Sequence, residues 1–221
     1  MAHFSASDIL KKVEESGFHL FDTTEDVPIE SLASKLGSPV PSAPGRPITD
    51  ILVPQVHDTA PPGTLSSLHG VGPFPFHTET AHWKRPVDLV VLRCLHPGSA
   101  DRRTLLVDGW ELGLARDEVR ALTQSLSVVK NGSRSFLAAP VEKQTRGLQF
   151  RYDKACMKPA YKGATTVFNQ LDRLISEAEF QEVHWIAGRN LIFDNRRVLH
   201  SRASAEVVDS DRRIERIYIV R

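Results

Sequence analysis

The sequence predicts a mainly β protein with flanking helices, built as a sandwich or jelly roll. Three observations support this fold class. Most apolar runs are short, rich in β-branched residues and bounded by turn signals, which is typical of strands. Only a few segments carry apolar residues at helical spacing. No repeat with a period of roughly 20 to 50 residues is visible, which excludes solenoids and propellers.

The predicted elements follow from these patterns in chain order. A first helix begins after Ser7 and ends at Gly17, and a second covers residues 28–37 with a proline in its first turn. Two more helices are expected at residues 111–125 and at about 166–179. The predicted strands cover residues 18–21, 89–95, 103–108, 127–130, 147–152, 191–193, 197–200 and 213–220.

Residues 38–76 differ from the rest of the chain because they are rich in proline and glycine. Proline restricts the backbone and removes a hydrogen-bond donor, so the segment is expected to be extended and loop-rich. At roughly 150 residues per domain, the length of 221 residues favours one domain. We expect an N-terminal helical and strand segment at 1–37, an ordered wrap at 38–76, and the β core at 77–221.

Composition restricts the class of function. Lys and Arg total 28 against 27 for Asp and Glu, so a net charge of +1 provides no broad field for nucleic acid or an anionic membrane. Two cysteines without CxxC spacing fit a reducing compartment. Neither a signal-peptide core nor an apolar run of about 20 residues is present. We therefore expect a cytoplasmic protein with a local site for a small molecule.

Candidate metal ligands occupy two segments that are far apart in sequence. Residues i and i+2 of an extended strand face the same side, so His77 and Glu79 are expected to project together. His200 ends a predicted strand that follows the turn signal Asp194-Asn195. Two histidines and one carboxylate bind one face of an octahedral ion and leave the other open, as in non-haem Fe(II) oxygenases. A histidine and a glutamate at this spacing often occur by chance, so the surrounding residues decide the interpretation.

Two arginines that follow His200 support a functional site. Arg212 and Arg216 are expected on one strand face, whereas Arg213 points away by alternation. A buried pair of guanidinium groups beside a metal needs an anionic partner. A dicarboxylate cosubstrate would supply that partner.

Together these motifs resemble the Fe(II)/2-oxoglutarate-dependent dioxygenases of the taurine dioxygenase superfamily, in particular its clavaminate synthase-like branch. The resemblance rests on residues 77–79, 194–200 and 212–216, and it extends from about residue 36 to the C-terminus. It implies a double-stranded β-helix (jelly roll) that uses Fe(II), 2-oxoglutarate and O₂. In the implied reaction 2-oxoglutarate is decarboxylated to succinate and CO₂ while a C–H bond of a small molecule is oxidised, by default hydroxylated.

The resemblance also implies roles for individual residues. The residues that match the iron ligands are His77, Glu79 and His200. Arg212 matches the arginine that binds the far carboxylate of 2-oxoglutarate, and Thr104 falls where a threonine contacts the same carboxylate. Arg216 matches a position that can reach the carboxylate of an amino-acid substrate, and Ser67 lies near the place of a substrate-contacting serine. The substrate expected from these matches is an amino acid or a derivative of one.

Two departures from the family pattern and one residue that is retained bear on the chemistry. Ser201 replaces the usual glycine after the second histidine, and its small side chain still fits there. Because Glu79 is present, a halogenase is disfavoured, since that chemistry needs the position of the carboxylate for chloride. The chain is also shorter than most relatives, so a lid over the site is expected to be trimmed or supplied by a partner.

The sequence leaves alternative functions to be considered, and it offers several candidates for the residues that line a substrate site. The same ligands would suit a cupin-like sensor or binding module without redox chemistry, which would not need Arg212. A zinc hydrolase or an inactive interaction protein is less consistent with an intact set of three ligands and no evident general base. The candidate walls of a substrate site are His69, His82, Trp83 and Trp110. Oligomeric state cannot be predicted from these patterns.

Overall fold

A computed structural model describes residues 5–23, 27–61, 64–204 and 209–221. The α-helices are α1 (Ala6–Ser16), α2 (Ile29–Leu36), α3 (Leu65–His69), α4 (Arg116–Gln124) and α5 (Lys162–Glu177). The strands are β1 (Phe18–Asp22), β2 (Ser38–Val40), β3 (Asp50–Leu52), β4 (Phe74–His77), β5 (Leu89–His96), β6 (Thr104–Asp108), β7 (Ser127–Asn131), β8 (Arg134–Ala138), β9 (Val141–Gln144), β10 (Gly147–Phe150), β11 (Met157–Pro159), β12 (Gln181–Val183), β13 (Arg189–Asp194), β14 (Val198–Arg202) and β15 (Arg213–Val220). Over these ranges, no helix combines the length and the apolar character that crossing a membrane requires.

Antiparallel sheets dominate the fold, which confirms the predicted mainly β class. The large sheet has the order β1-β13-β5-β15-β2, with β3 also paired to β15. A second sheet has the order β12-β6-β14-β4. Two smaller sheets pair β11-β7-β8 and β10-β9. Apolar side chains from the two larger sheets share one buried cluster, so these sheets pack against each other.

The alternation of side chains along β15 shows how the layers are built. Ile214 and Tyr218 point into the cluster between the two larger sheets. Ile217 and Ile219 point to the other side, where α1 and α2 cover the large sheet. A further cluster joins Leu199 of β14 to Leu171 of α5 on the outer side of the second sheet. Helices therefore flank the sheets on both sides, as the sequence predicts.

The first two predicted helices are present, with one correction at the start of α1. The N-cap is Ser5 rather than Ser7, because the Ser5 hydroxyl accepts the backbone N–H of Asp8 while the Asp8 carboxylate reaches back to the Ser5 backbone. Gly17 ends the helix in the left-handed conformation, with φ 79°.

The helix predicted at residues 111–125 is shorter than expected. A 3-10 turn covers Gly109–Glu111, and α4 begins only at Arg116. Gly113 between them has φ 64°, a conformation that interrupts an α-helix. The helix expected at 166–179 is α5, which begins earlier, at Lys162.

The proline-rich stretch 38–76, described except for residues 62 and 63, contains β2, β3, α3 and most of β4. Its path into β4 is fixed by Arg202, whose guanidinium donates to the carbonyls of Gly70 and Gly72 at 2.6 Å each. The same guanidinium lies 3.5 Å from the ring centroid of Phe74. The strand that carries His200 therefore holds the segment that leads to His77.

Candidate metal centre

The three predicted metal ligands lie together between the two larger sheets. His77 at the end of β4 is the direct cross-strand partner of His200 on β14, and their ring centroids are 4.3 Å apart. Oε1 of Glu79 lies 3.5 Å from Nε2 of His200. One ligand atom from each residue falls within 4.8 Å of the other two. The structure thus brings together all three residues at distances that a single metal ion can bridge.

Glu79 reaches this place by a different route from the one predicted. The strand ends at His77, and Thr80 turns the chain with φ 54°, so Glu79 lies on a turn rather than on an extended strand. Asn195 fixes that turn: its Oδ1 accepts the Glu79 N–H at 2.7 Å, and its Nδ2 donates to the carbonyls of Glu79 and Val87 at 3.0 and 2.9 Å. Asn195 is fully buried. The sequence marked it only as a turn signal.

Replacing Asn195 by alanine is expected to lower the free energy of unfolding by about 3 kcal/mol, because buried polar groups left unpaired cost roughly 1 to 3 kcal/mol each. Metal affinity is expected to fall as well, since Glu79 loses its backbone support. Urea unfolding and a Mn(II) titration measure the two effects. Asn131→Ala at an exposed position serves as the control. Equal stability of the two variants would contradict the role given to Asn195.

The protonation states of Glu79 and His200 suit metal binding. Burial and the neighbouring His77 lower the pKa of His200 to about 4, so its imidazole is neutral at neutral pH. Burial alone would raise the pKa of Glu79, but Arg216 and the two imidazoles outweigh it and hold that pKa well below its usual value. Nδ1 of His77 lies 2.9 Å from the Pro75 carbonyl, which leaves Nε2 for a metal. Neutral imidazoles and an ionised carboxylate are the forms that bind a cation.

Arg212 carries a buried charge that forms no ion pair within the described part of the chain, and the charge of Asp209 only partly offsets its burial. Its relative exposure is 7%, and Nε is buried without a hydrogen-bond partner. Among the described residues, no carboxylate lies within ion-pair distance of its guanidinium. Burial and the charge of Arg102 lower the pKa of Arg212 to about 10, so the group is still protonated at neutral pH. Since an isolated buried charge is costly, the site is suited to an anionic ligand.

Thr104 begins β6 and is also buried. Its hydroxyl oxygen accepts the indole N–H of Trp185 at 3.0 Å, so the hydroxyl hydrogen remains free to be donated elsewhere. Trp185 is separated from Thr104 by 81 positions, and no sequence signal connects them.

The two predicted substrate contacts are already engaged within the protein. Arg216 donates to Oε1 of Glu79 at 3.1 Å and to Oδ2 of Asp50 at 3.0 Å. Ser42 donates to the other oxygen of Asp50 at 3.1 Å. The Ser67 hydroxyl donates to the Thr64 carbonyl within the first turn of α3, at 2.7 Å. Contact of Arg216 or Ser67 with a substrate stays a prediction.

Two of the candidate wall residues, His82 and Trp83, are connected to Glu79 through Tyr218. The ring of His82 lies edge-on to that of Trp83, with centroids 6.3 Å apart, and burial lowers the pKa of His82 against the opposing charges of Asp153 and Glu79. Trp83 packs edge-on against Tyr218 with ring centroids 6.2 Å apart. The ring centroid of Trp110 instead lies 4.0 Å from the Arg197 guanidinium. Trp110 also lines a cleft of about 430 Å³, and none of the three metal ligands borders that cleft.

Comparisons with known proteins identify the fold. The sequence matches no protein-family model and no curated protein. A structure of asparagine oxygenase with Fe(II), 2S,3S-3-hydroxyasparagine and succinate aligns with TM-score 0.77 and 17% identity, over 97% of this chain and 78% of that one. OrfP, a non-haem iron oxygenase in complex with Fe and α-ketoglutaric acid, aligns with TM-score 0.77 and 14% identity, over 96% and 77% of the two chains.

The PvcB protein from Pseudomonas aeruginosa aligns with TM-score 0.73 and 18% identity, over 98% of this chain and 80% of that one. At such identities the alignments establish the fold and leave the reaction and the substrate to be argued from the site. As far as the fold is concerned, they agree with the expected resemblance to iron oxygenases. This chain therefore has the fold of the non-haem iron oxygenases represented by asparagine oxygenase and OrfP.

Proposed function

We propose that this chain is an Fe(II)/2-oxoglutarate-dependent oxygenase that oxidises, by default hydroxylates, a C–H bond of a small molecule. The observation that carries the proposal is the buried guanidinium of Arg212, whose Nε has no hydrogen-bond partner and which forms no ion pair with a described carboxylate. Arg212 immediately precedes β15, and β15 brings Arg216 to Glu79. A metal-binding module that binds no cosubstrate does not require a buried cation at this position, whereas 2-oxoglutarate supplies the counter-ion of Arg212.

The proposed roles follow from the donor set. His77, Glu79 and His200 hold Fe(II), because two neutral imidazoles and one carboxylate are its usual facial ligands. Arg212 and the free hydroxyl hydrogen of Thr104 bind the far carboxylate of 2-oxoglutarate. When bound, iron with 2-oxoglutarate and O₂ supplies the oxidising power for the C–H bond. The protein orients the substrate, and the closely packed sheets around the triad limit the access of water.

The proposed substrate is an amino acid or a derivative of one. Structures of the same fold hold 3-hydroxyasparagine in asparagine oxygenase and (3S)-hydroxy-L-Arg in OrfP. Arg216 can take a substrate carboxylate only by sharing a guanidinium that already contacts Glu79 and Asp50. We also propose that the two larger sheets form the double-stranded β-helix of a single domain at 1–221, cytoplasmic in location.

Replacing Thr104 by valine is expected to weaken 2-oxoglutarate binding about 10-fold, because a hydrogen bond to a charged group contributes roughly 1.5 to 3 kcal/mol. Thr104→Ser keeps the hydroxyl and is expected to stay close to wild type. Anaerobic titration with 2-oxoglutarate in the presence of Fe(II) measures both affinities. If valine and serine weaken binding equally, the hydroxyl has no role in holding the cosubstrate.

The proposed activity is tested by following conversion of 2-oxoglutarate to succinate in the presence of Fe(II) and O₂. A panel of free amino acids, amino-acid amides and N-acyl amino acids is compared with buffer alone. We expect Fe(II)-dependent succinate formation that one substrate class increases. Succinate formation that is equal in wild type and His77→Ala would overturn the proposal.

A further inference from the structure

Glu79 receives a third contact, from a residue with no role in the reaction as described above. The phenol oxygen of Tyr218 lies 2.5 Å from Oε2 of Glu79. A tyrosine hydroxyl, with an ordinary pKa near 10, donates at neutral pH and a carboxylate accepts. Tyr218 is 4% exposed and is the second residue after Arg216 on β15, so both side chains face the triad.

The two oxygens of Glu79 consequently have different partners. Oε1 faces Nε2 of His200 at 3.5 Å and accepts from Arg216 at 3.1 Å, which leaves a lone pair toward the space shared by the triad. Oε2 is turned to Tyr218. A carboxylate that binds a metal through both oxygens would occupy two coordination positions, whereas one that binds through a single oxygen occupies one.

We propose that Tyr218 is a positioning residue that holds Oε2 of Glu79, so that the carboxylate presents only Oε1 to the metal. This role rests on the proposed function, because it assumes that Glu79 binds iron. The facial site then keeps three positions open, which is the number that a chelating 2-oxoglutarate and O₂ together require.

The surroundings of Tyr218 fix the direction in which its hydroxyl points. Trp83 packs edge-on against the ring at 6.2 Å between centroids. The Arg216 guanidinium lies 4.6 Å from the ring centroid and is itself held by Asp50 at 3.0 Å. The phenol therefore has little freedom to release Oε2 when Oε1 binds a metal.

The chain contains a matched control for this contact. Tyr152 is 2% exposed, and its hydroxyl donates to Oδ1 of Asp172 at 2.9 Å. Asp172 belongs to α5 and is not among the three candidate ligands. Tyr152→Phe removes the same kind of hydrogen bond as Tyr218→Phe, but at a carboxylate that holds no metal.

The test compares Mn(II) affinity and the visible spectrum of bound Co(II) in wild type, Tyr218→Phe and Tyr152→Phe. Free Mn(II) is measured by electron paramagnetic resonance, and the Co(II) spectrum reports coordination number. We expect Tyr218→Phe to bind Mn(II) about 10- to 100-fold more weakly, as is typical when a partner of a metal ligand is removed, and to show an altered Co(II) spectrum. Tyr152→Phe is expected to match wild type in both measurements.

The outcomes separate this role from the function on which it rests. Wild-type affinity and spectrum in Tyr218→Phe overturn the role of Tyr218 and leave the metal site intact. Equal loss of affinity in both tyrosine variants also overturns it, since the effect is then one of general stability. If His200→Ala binds Mn(II) as tightly as wild type does, the proposed function fails and the role of Tyr218 fails with it.

Discussion

Replacing His200 by alanine is expected to weaken Mn(II) or Fe(II) binding by more than about 100-fold and to abolish turnover of 2-oxoglutarate. Loss of an outer-shell partner alone costs about 10- to 100-fold in metal affinity, and His200 is a direct ligand in the proposed site. The imidazole is buried between His77 and Phe193, with ring centroids 4.3 and 4.9 Å away.

The matched control is His184→Ala, at an exposed histidine whose side chain has a relative exposure of 53%. It is expected to bind metal as wild type does. Isothermal titration with Mn(II) gives both affinities, and circular dichroism confirms that each variant is folded. Retention of tight Mn(II) binding by His200→Ala would show that the metal does not bind at the triad.

Replacing Arg212 by methionine is expected to weaken 2-oxoglutarate binding by about 10- to 100-fold while leaving metal affinity unchanged. A charge-assisted hydrogen bond contributes roughly 1.5 to 3 kcal/mol, and each 1.4 kcal/mol is tenfold in affinity. The same change is expected to raise the free energy of unfolding of the ligand-free protein by at least about 1 kcal/mol. Its cause is removal of a buried charge that forms no ion pair with a described residue and whose burial the charge of Asp209 only partly offsets.

Arg213→Met is the control, because Arg213 is only half-buried and its guanidinium donates to the carbonyls of Ser210 and Arg212. Anaerobic titration with 2-oxoglutarate and urea unfolding of the ligand-free protein give the two quantities for each variant. Full affinity for 2-oxoglutarate in Arg212→Met would favour a metal-binding module without a dicarboxylate cosubstrate. A less stable ligand-free protein would show that the charge has an internal partner.

The long strands were predictable because their sequence pattern and their environment agree. Both β5 and β15 carry runs of β-branched and apolar residues, and each is buried on both faces of the large sheet. The strands β8 and β12 were not predicted, since few of their residues are buried and the alternation of buried and exposed positions is weak. The pairing of β12 in addition depends on a strand far along the chain, with Gln181 opposite Leu106.

The metal ligands were predictable because their chemistry is local and distinctive. A histidine and a glutamate two positions apart, with a later histidine and arginines, restrict the chain to a few kinds of metal site. The residues that support the ligands were not predictable in the same way. Asn195 reaches Glu79 across 116 positions, and Tyr218 reaches it across 139. Asparagine and tyrosine occur in many roles, so only the fold shows which of them touches a ligand.

The contacts of Arg216 show where motif matching reaches its limit. The motif identifies a position that faces the site, and the structure places the guanidinium there, against Glu79. The motif gives no indication of Asp50, which lies directly opposite Arg216 across the β3–β15 pair. That carboxylate comes from the proline-rich stretch, whose path over the sheet follows from tertiary packing rather than from local sequence.

The central claim is that the triad and Arg212 together bind Fe(II) and 2-oxoglutarate. Its most direct test is the visible absorption of the protein after anaerobic addition of both. We expect a weak metal-to-ligand charge-transfer band in wild type, no band in His77→Ala, and a band in Arg212→Met only at much higher 2-oxoglutarate concentration. Absence of the band in wild type, or an unchanged band in His77→Ala, would contradict the claim.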